Sequence, residues 1–167
     1  MRPITESEIR ASFVNCSKGE AQRLNLPRDF AGLPWDDLDF LGWRDPGAPE
    51  RGYLVAERSG RLVGIALRTA SGGSRGFTAR SICTICKTTR TGGGVALLAA
   101  RRAGEAGRNG NTVGQYICSD LACSLYARGK KISAGTLLDE TLDPAARIAR
   151  VEKGLDTFLN RITAGAN

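Results

Sequence analysis

The sequence contains no histidine. That single absence removes Ser-His-Asp and Cys-His nucleophile systems, histidine general bases, histidine-metal nucleases and histidine zinc proteases. Nowhere do 18 consecutive apolar residues occur, so nothing reads as a membrane span, and Met1-Arg-Pro-Ile-Thr-Glu-Ser-Glu8 lacks the apolar run of a signal peptide. No Gly-Lys-Ser/Thr stands before a helix, so Ser71-Gly-Gly-Ser-Arg-Gly76 reads as a hinge and not as a phosphate loop. Three carboxylates, Asp36, Asp37 and Asp39, lie close together, but nothing near them supplies a second catalytic role, and the segment reads as a solvated turn or capped helix start. The expectation is a soluble, cytoplasmic protein that is not an enzyme, holds no small-molecule substrate and meets no membrane.

What the chain does have is cysteine in an informative arrangement. Four of its five cysteines form two pairs, Cys83-Thr-Ile-Cys86 and Cys118-Ser-Asp-Leu-Ala-Cys123, with residues 87–117 between them. A C-x2-C knuckle places two thiolates on one metal, and a second close pair supplies the other half of a tetrahedron. The competing reading is disulfides or buried apolar thiols, and no secretion signal puts the chain in an oxidising compartment. One structural zinc on Cys83, Cys86, Cys118 and Cys123 is the stronger reading. Four thiolates leave no coordination position for a water, so such a metal holds structure and does no chemistry. Cys16 has no partner at ligand spacing and reads as a small buried hydrophobe.

With 167 residues and 41% hydrophobic content, the chain is long enough for one ordinary core and too short for two large ones. The net charge of +7 is unevenly spread. Residues 1–75 carry 11 basic and 10 acidic side chains, residues 76–131 carry 9 and 2, and residues 132–167 carry 4 and 5. The excess therefore lies in the cysteine segment. Four zinc-bound thiolates would take about two units back, since −4 from sulfur meets +2 from the metal. The remaining positive face suits phosphate backbones or an acidic protein surface.

Local patterns predict an α+β chain. Thr5-Glu-Ser-Glu8 and Ser17-Lys-Gly-Glu20 have the form of capping boxes, each opening a short helix. Trp35 and Trp43, beside Leu38, Phe40 and Leu41, predict a buried aromatic mini-core. Residues 53–58 and 61–68 around Ser59-Gly60 predict a β-hairpin. A second hairpin, from Val95 to Ile117, joins the two cysteine pairs, and Asp120 is expected near the cap of a helix carrying the last ligands. Asp143-Pro144 starts the clearest helix, with Ile148, Val151, Leu155, Phe158, Leu159 and Ile162 on one stripe. Knuckle, hairpin and ligand-bearing helix define a treble-clef zinc finger. The expected layout is one domain, 1–167: a helical and hairpin part (1–75), the zinc finger (76–131) and a bracing C-terminal helix (132–167).

Five stretches together resemble the treble-clef domain of elongation-factor-G-binding proteins: Phe13-Val-Asn-Cys-Ser-Lys-Gly-Glu-Ala, Asp39-Phe-Leu-Gly-Trp-Arg-Asp-Pro, Cys83-x2-Cys86, Gly92-Gly-Gly-Val, and Tyr116-Ile-Cys-x4-Cys-Ser-Leu-Tyr. Members that confer fusidic acid resistance resemble two-domain proteins with a helical bundle ahead of the zinc domain, and this chain is similar to the zinc domain alone. The resemblance implies a translation-associated protein that binds elongation factor G and modulates its interaction with the ribosome, with the four cysteines matching the metal positions. The residues themselves keep a second class open, a ribosome- or RNA-binding zinc finger, favoured by Lys87, Arg90, Arg101, Arg102, Arg108, Arg128, Lys130 and Lys131 with Tyr116 and Tyr126 interleaved. The expected working surface is Lys87, Arg90, Tyr126, Arg128, Lys130 and Lys131, held rigid by the metal.

Overall fold

Both predicted capping boxes form in the computed structural model, which describes residues 1–69, 80–132 and 140–165. Thr5 caps α1 (Glu6–Ser12) and Ser17 caps α2 (Lys18–Arg23), and in each the glutamate of the third helical position closes the box. Strand β1 (Phe40–Asp45) follows a 3-10 turn over Trp35–Asp37. Then come β2 (Ala48–Arg58) and β3 (Arg61–Thr69), joined at Ser59 and Gly60, whose φ values of 49° and 74° are those of a tight hairpin turn. The zinc segment contributes β4 (Ser81–Ile82), β5 (Thr89–Arg90), β6 (Val95–Arg101), α3 (Gly104–Arg108), β7 (Thr112–Cys118) and α4 (Cys123–Ala127). Helix α5 (Pro144–Thr163) closes the fold, capped by Asp143 with proline in its first turn. No helix among the described residues is long and apolar enough to cross a membrane. The expected hinge, Ser71 to Gly76, lies outside the described residues.

One antiparallel sheet, in the order β1-β2-β3-β6-β7, runs through both the N-terminal part and the zinc segment. Its two faces bury two cores. On β2 the alternation is direct: Tyr53 and Val55 point to a cluster with Ile4, Ile9, Leu24, Leu41 and Trp43, while Leu54 and Ala56 point to a cluster with the four cysteines, Ile85 and α5. Both faces of this strand are covered, and burial on that scale outweighs the modest worth of the short helices alone. Val151, Leu155, Phe158, Leu159 and Ile162 face the core from α5 as expected, with Ile148 half-buried at the end of the stripe.

The aromatic mini-core exists, but on a strand. Trp43 is buried, its ring centroid 5.1 Å from that of Tyr53 and its indole N–H donating to the Asn25 carbonyl at 2.9 Å. Trp35 meets Phe30 edge to face at 5.8 Å. The sequence reading saw the turn before this strand and not the strand, because Phe40 and Leu41 are both buried and leave no polar alternation to read.

Among the described residues, strands β3 and β6 pair only at Arg68–Ala99 and Thr69–Leu98. Where they diverge, the Asn15 side chain takes the place of a strand. Its amide oxygen accepts from Ala66 N at 2.8 Å, and its nitrogen donates to the Ala66 and Arg101 carbonyls at 3.0 Å each. An amide is the one short side chain offering both donor and acceptor in this geometry.

Candidate metal centre

The knuckle turns tightly because Lys87 adopts a left-handed conformation, φ 59°, which lets its N–H reach the Cys83 carbonyl at 2.9 Å. Cys83 N in turn donates to the Thr88 carbonyl, and Thr84 donates through both N and Oγ1 to the Tyr116 carbonyl at 2.8 and 2.7 Å. The knuckle is thereby stitched to the outer edge of β7. That strand ends in Cys118, and Leu121, at φ 57°, redirects the chain so that Cys123 enters from the first turn of α4.

All four cysteines are fully buried, and their Sγ atoms lie within 4.8 Å of one another. Cys83 and Cys123 are 3.7 Å apart, Cys86 and Cys118 3.6 Å. A tetrahedron with zinc–sulfur bonds of 2.3 Å has edges of about 3.8 Å, so these separations fit one zinc ion. As bare thiols the group is ill at ease. Donation from Cys118 and Cys123 pulls Cys83 and Cys86 below the ordinary thiol range, while contacts with Cys118 and Cys83 push Cys123 well above it. A dication shared by four thiolates removes that competition. Zinc bound here is a structural ion in a closed site.

Such a centre carries a net −2, and Arg90 lies against it. Its side chain is 11% exposed, pairs with Asp120 at 3.2 Å and covers the Tyr126 ring at 4.2 Å. Burial works against its charge, but the sulfur and the carboxylate outweigh burial and its pKa rises. Asp120 is the hub of this cluster. It accepts from the Tyr126 hydroxyl at 2.7 Å and meets Lys131 at 2.9 Å. Desolvation opposes its ionisation, yet the Lys131 and Tyr126 hydrogen bonds and the Arg90 charge hold its pKa below the usual value. Burial first, and then the bond to Asp120, pushes the Tyr126 phenol up. Asp120 stands near the cap of the last ligand's helix, as expected: α4 begins at Cys123 with Ala122 at its N-cap, and Asp120 accepts from Ala122 N at 3.3 Å in the turn before it.

The six residues expected to form a working surface are thus mostly engaged within the molecule. Arg128 makes a bidentate pair with Asp39, both oxygens at 2.7 Å, and Lys130 meets Asp37 at 2.7 Å. The Asp39 side chain is only 6% exposed, which corrects its reading as part of a solvated turn. It is a buried strut between the 3-10 turn and α4. Of the six, Lys87 stands exposed, Lys130 and Lys131 keep 57% and 43% of their side chains in solvent, and Tyr126 is buried. Cys16 is half-buried and belongs to no metal cluster among the described residues, and burial and Glu20 push its thiol up to about 11.

A groove of about 590 Å³ lies beside the knuckle, between β7 and α5. Thr84, Lys87, Tyr116, Arg150, Lys153 and Arg161 line it together with Gly154, and among the described residues no carboxylate does. Arg150 is paired with Glu140, and Arg161 donates to Gln115 at 3.3 Å. Sequence reading named Lys87 and Tyr116 among these and not the α5 cations, because the groove is assembled from segments far apart in the chain.

Residues 8–162 match the family described as the FBP C-terminal treble-clef zinc-finger. No curated protein matches the chain. Among solved structures, that of the fusidic acid resistance protein FusC superposes with a TM-score of 0.62 at 16% identity, over 98% of this chain and 60% of that one. At that identity the likeness establishes a shared fold, and the present chain spans 60% of the length of the larger protein.

Proposed function

We propose, from the premise that this chain belongs to the FBP C-terminal treble-clef zinc-finger family, that it is a non-enzymatic binding module for elongation factor G that modulates the factor's interaction with the ribosome. The observation that carries the reading is the closed four-cysteine centre, which offers no coordination position for substrate and rigidly fixes a basic face around itself. FusC, whose fold it shares, is a fusidic acid resistance protein. The proposed contact surface comprises Lys87, Lys130 and Lys131, extended along the groove by Tyr116 and Lys153. Arg90, Tyr126 and Arg128 support that face from beneath. A surface held by metal and sheet loses little entropy on docking, and its positive charge speeds encounter with an acidic partner.

The test is titration of purified elongation factor G with the zinc-loaded protein, beside a variant carrying Lys87→Glu and Lys153→Glu. Both lysines are exposed and neither makes an ion pair among the described residues. Direct binding by the parent and an association rate lowered about tenfold in the variant at low salt are expected. Absence of binding by the parent defeats the reading, and an unchanged rate in the variant moves the interface off the groove.

A further inference from the structure

On the face of the sheet that carries α2, arginines gather with few ion pairs among the described residues. Arg51 on β2 stands directly opposite Arg68 on β3, a like-charge cross-strand pair that ordinarily destabilises a sheet. Arg68 pairs with Ala99 on β6, so Arg101, two residues on, shares the same face as their diagonal neighbour. The three line one cleft with Asn15, Cys16, Glu20 and Thr112. That cleft continues into a second, of about 340 Å³, where Arg101 is joined by Arg102 and Arg108.

Among the described lining residues the one carboxylate is Glu20, and it is already committed. Its oxygen accepts from Ser17 N and Ser17 Oγ, each at 2.9 Å, and the charges of Arg101 and Arg68 contribute to holding its pKa low. Arg68, Arg101 and Arg108 have no ion pair within 4.0 Å among the described residues, while Arg51 reaches Glu50 at 3.7 Å. A fixed glutamate cannot neutralise a row of arginines.

We propose that this arginine cleft binds consecutive backbone phosphates of a single-stranded nucleic acid. Across three neighbouring strands and two residues of β6, the row from Arg51 to Arg101 spans roughly 10–12 Å, too long for one small anion to satisfy. Each lining cation is an arginine, whose planar fork grips phosphate through paired donors. Among the described residues the aromatic lining it, Tyr53, is buried with its hydroxyl donating to Asp45 at 3.0 Å, so it offers no platform for base stacking, and the arginines favour contact with backbone over bases. This activity is separate from factor binding, since none of these residues lines the zinc groove.

The experiment is fluorescence anisotropy of a labelled 12-nucleotide oligouridylate against the zinc-loaded protein, across a salt series. The comparison is a variant with Arg51→Gln, Arg68→Gln and Arg101→Gln, and the control removes three charges elsewhere, Arg23→Gln, Arg28→Gln and Arg61→Gln. Each phosphate contact on a single strand contributes about 0.7 to the slope of log K against log salt, so the cleft variant should lose about 2 units of slope and the control far less. Should the triple variant misfold, Arg68→Gln alone removes the like-charge pair and should lower the slope by about 0.7. Equal slopes in parent and variants, an equal loss in the control, or displacement of the oligouridylate by polyglutamate as readily as by unlabelled RNA each overturns the proposal. Factor binding, measured on the same variants, should be unchanged.

Discussion

Replacing Arg128 by methionine leaves the Asp39 carboxylate without its two 2.7 Å donors in a place where its side chain is 6% exposed. The arginine itself is 17% exposed, and the bond to Asp39 raises its pKa, so this is a mostly desolvated, charge-assisted pair and not a surface one. Removing one partner of a buried pair costs about 3–5 kcal/mol, and the partial exposure of Arg128 places this case near about 3 kcal/mol. For a chain of this size that is a fall in Tm of about 6–12 °C. Replacing both partners, as Arg128→Met with Asp39→Leu, exchanges the pair for apolar packing and should leave a loss of only about 1 kcal/mol, so the coupling energy is about 2 kcal/mol plus whatever Asp39→Leu costs alone. Urea unfolding with zinc in excess measures all four corners of this cycle without interference from metal loss. A single Arg128→Met variant within about 0.5 kcal/mol of the parent would refute the reasoning, because it would mean water reaches Asp39 and the pair is screened. The same geometry predicts that reversing Arg128 to glutamate damages the fold, whereas Lys87→Glu does not.

Cys118→Ser with Cys123→Ser should abolish zinc binding and unfold the region around α4 and α5, since all four sulfurs are core atoms; Cys16→Ala should leave one zinc per chain by elemental analysis, and a lower stoichiometry there would mean the ligand set is wrong. Gly154→Ala should reverse the usual helix rule: alanine ordinarily stabilises a helix interior by about 1 kcal/mol, but a Cβ here would lie 2.8 Å from the Ile85 carbonyl oxygen and 2.9 Å from its Cα. Calorimetry should therefore give a lower Tm and faster zinc loss to a chelator, and a higher Tm would show that α5 moves off the knuckle freely. The Arg2 hydrogen bond, then those from Thr5, hold the Glu8 carboxyl at about 2 against an ordinary 4.5. Because the folded value is the lower one, the capping box contributes fully above pH 4.5 and is lost as pH falls toward 2. Carboxyl NMR that titrates near 4.5 would show the box is open in solution.

Signals that act over a few residues were legible in the sequence. The two capping boxes, the Ser59-Gly60 turn, the Asp143-Pro144 start and the two cysteine pairs each declare themselves within a short span, and each takes its expected form. What escaped is what chain distance conceals. Lys130 meets Asp37 across 93 positions and Arg128 meets Asp39 across 89, so cations that read as an outward face are largely internal ties. Asn15 stood inside a recognisable stretch, yet nothing local marks it as the bridge between β3 and β6. The arginine cleft is likewise a product of strand register, which brings residues 51, 68 and 101 side by side.

The covering of the metal centre by α5 sets a schedule for a chain made from its N-terminus onward. Cys123 is the last ligand to be synthesised, and Thr163, the end of the helix that packs over the knuckle at Gly154, follows 40 residues later (163 − 123). At synthesis rates of about 5–20 residues per second, that gap lasts about 2–8 s. During it all four thiols exist while Val151, Leu155, Phe158, Leu159 and Ile162 do not yet shield them. Metal capture in that interval competes with oxidation of exposed thiols and with softer metals that thiolates also accept. A nascent chain that meets zinc late would emerge with its sheet begun and its centre spoiled, so the yield of active protein should follow zinc supply during synthesis more closely than zinc supply afterwards.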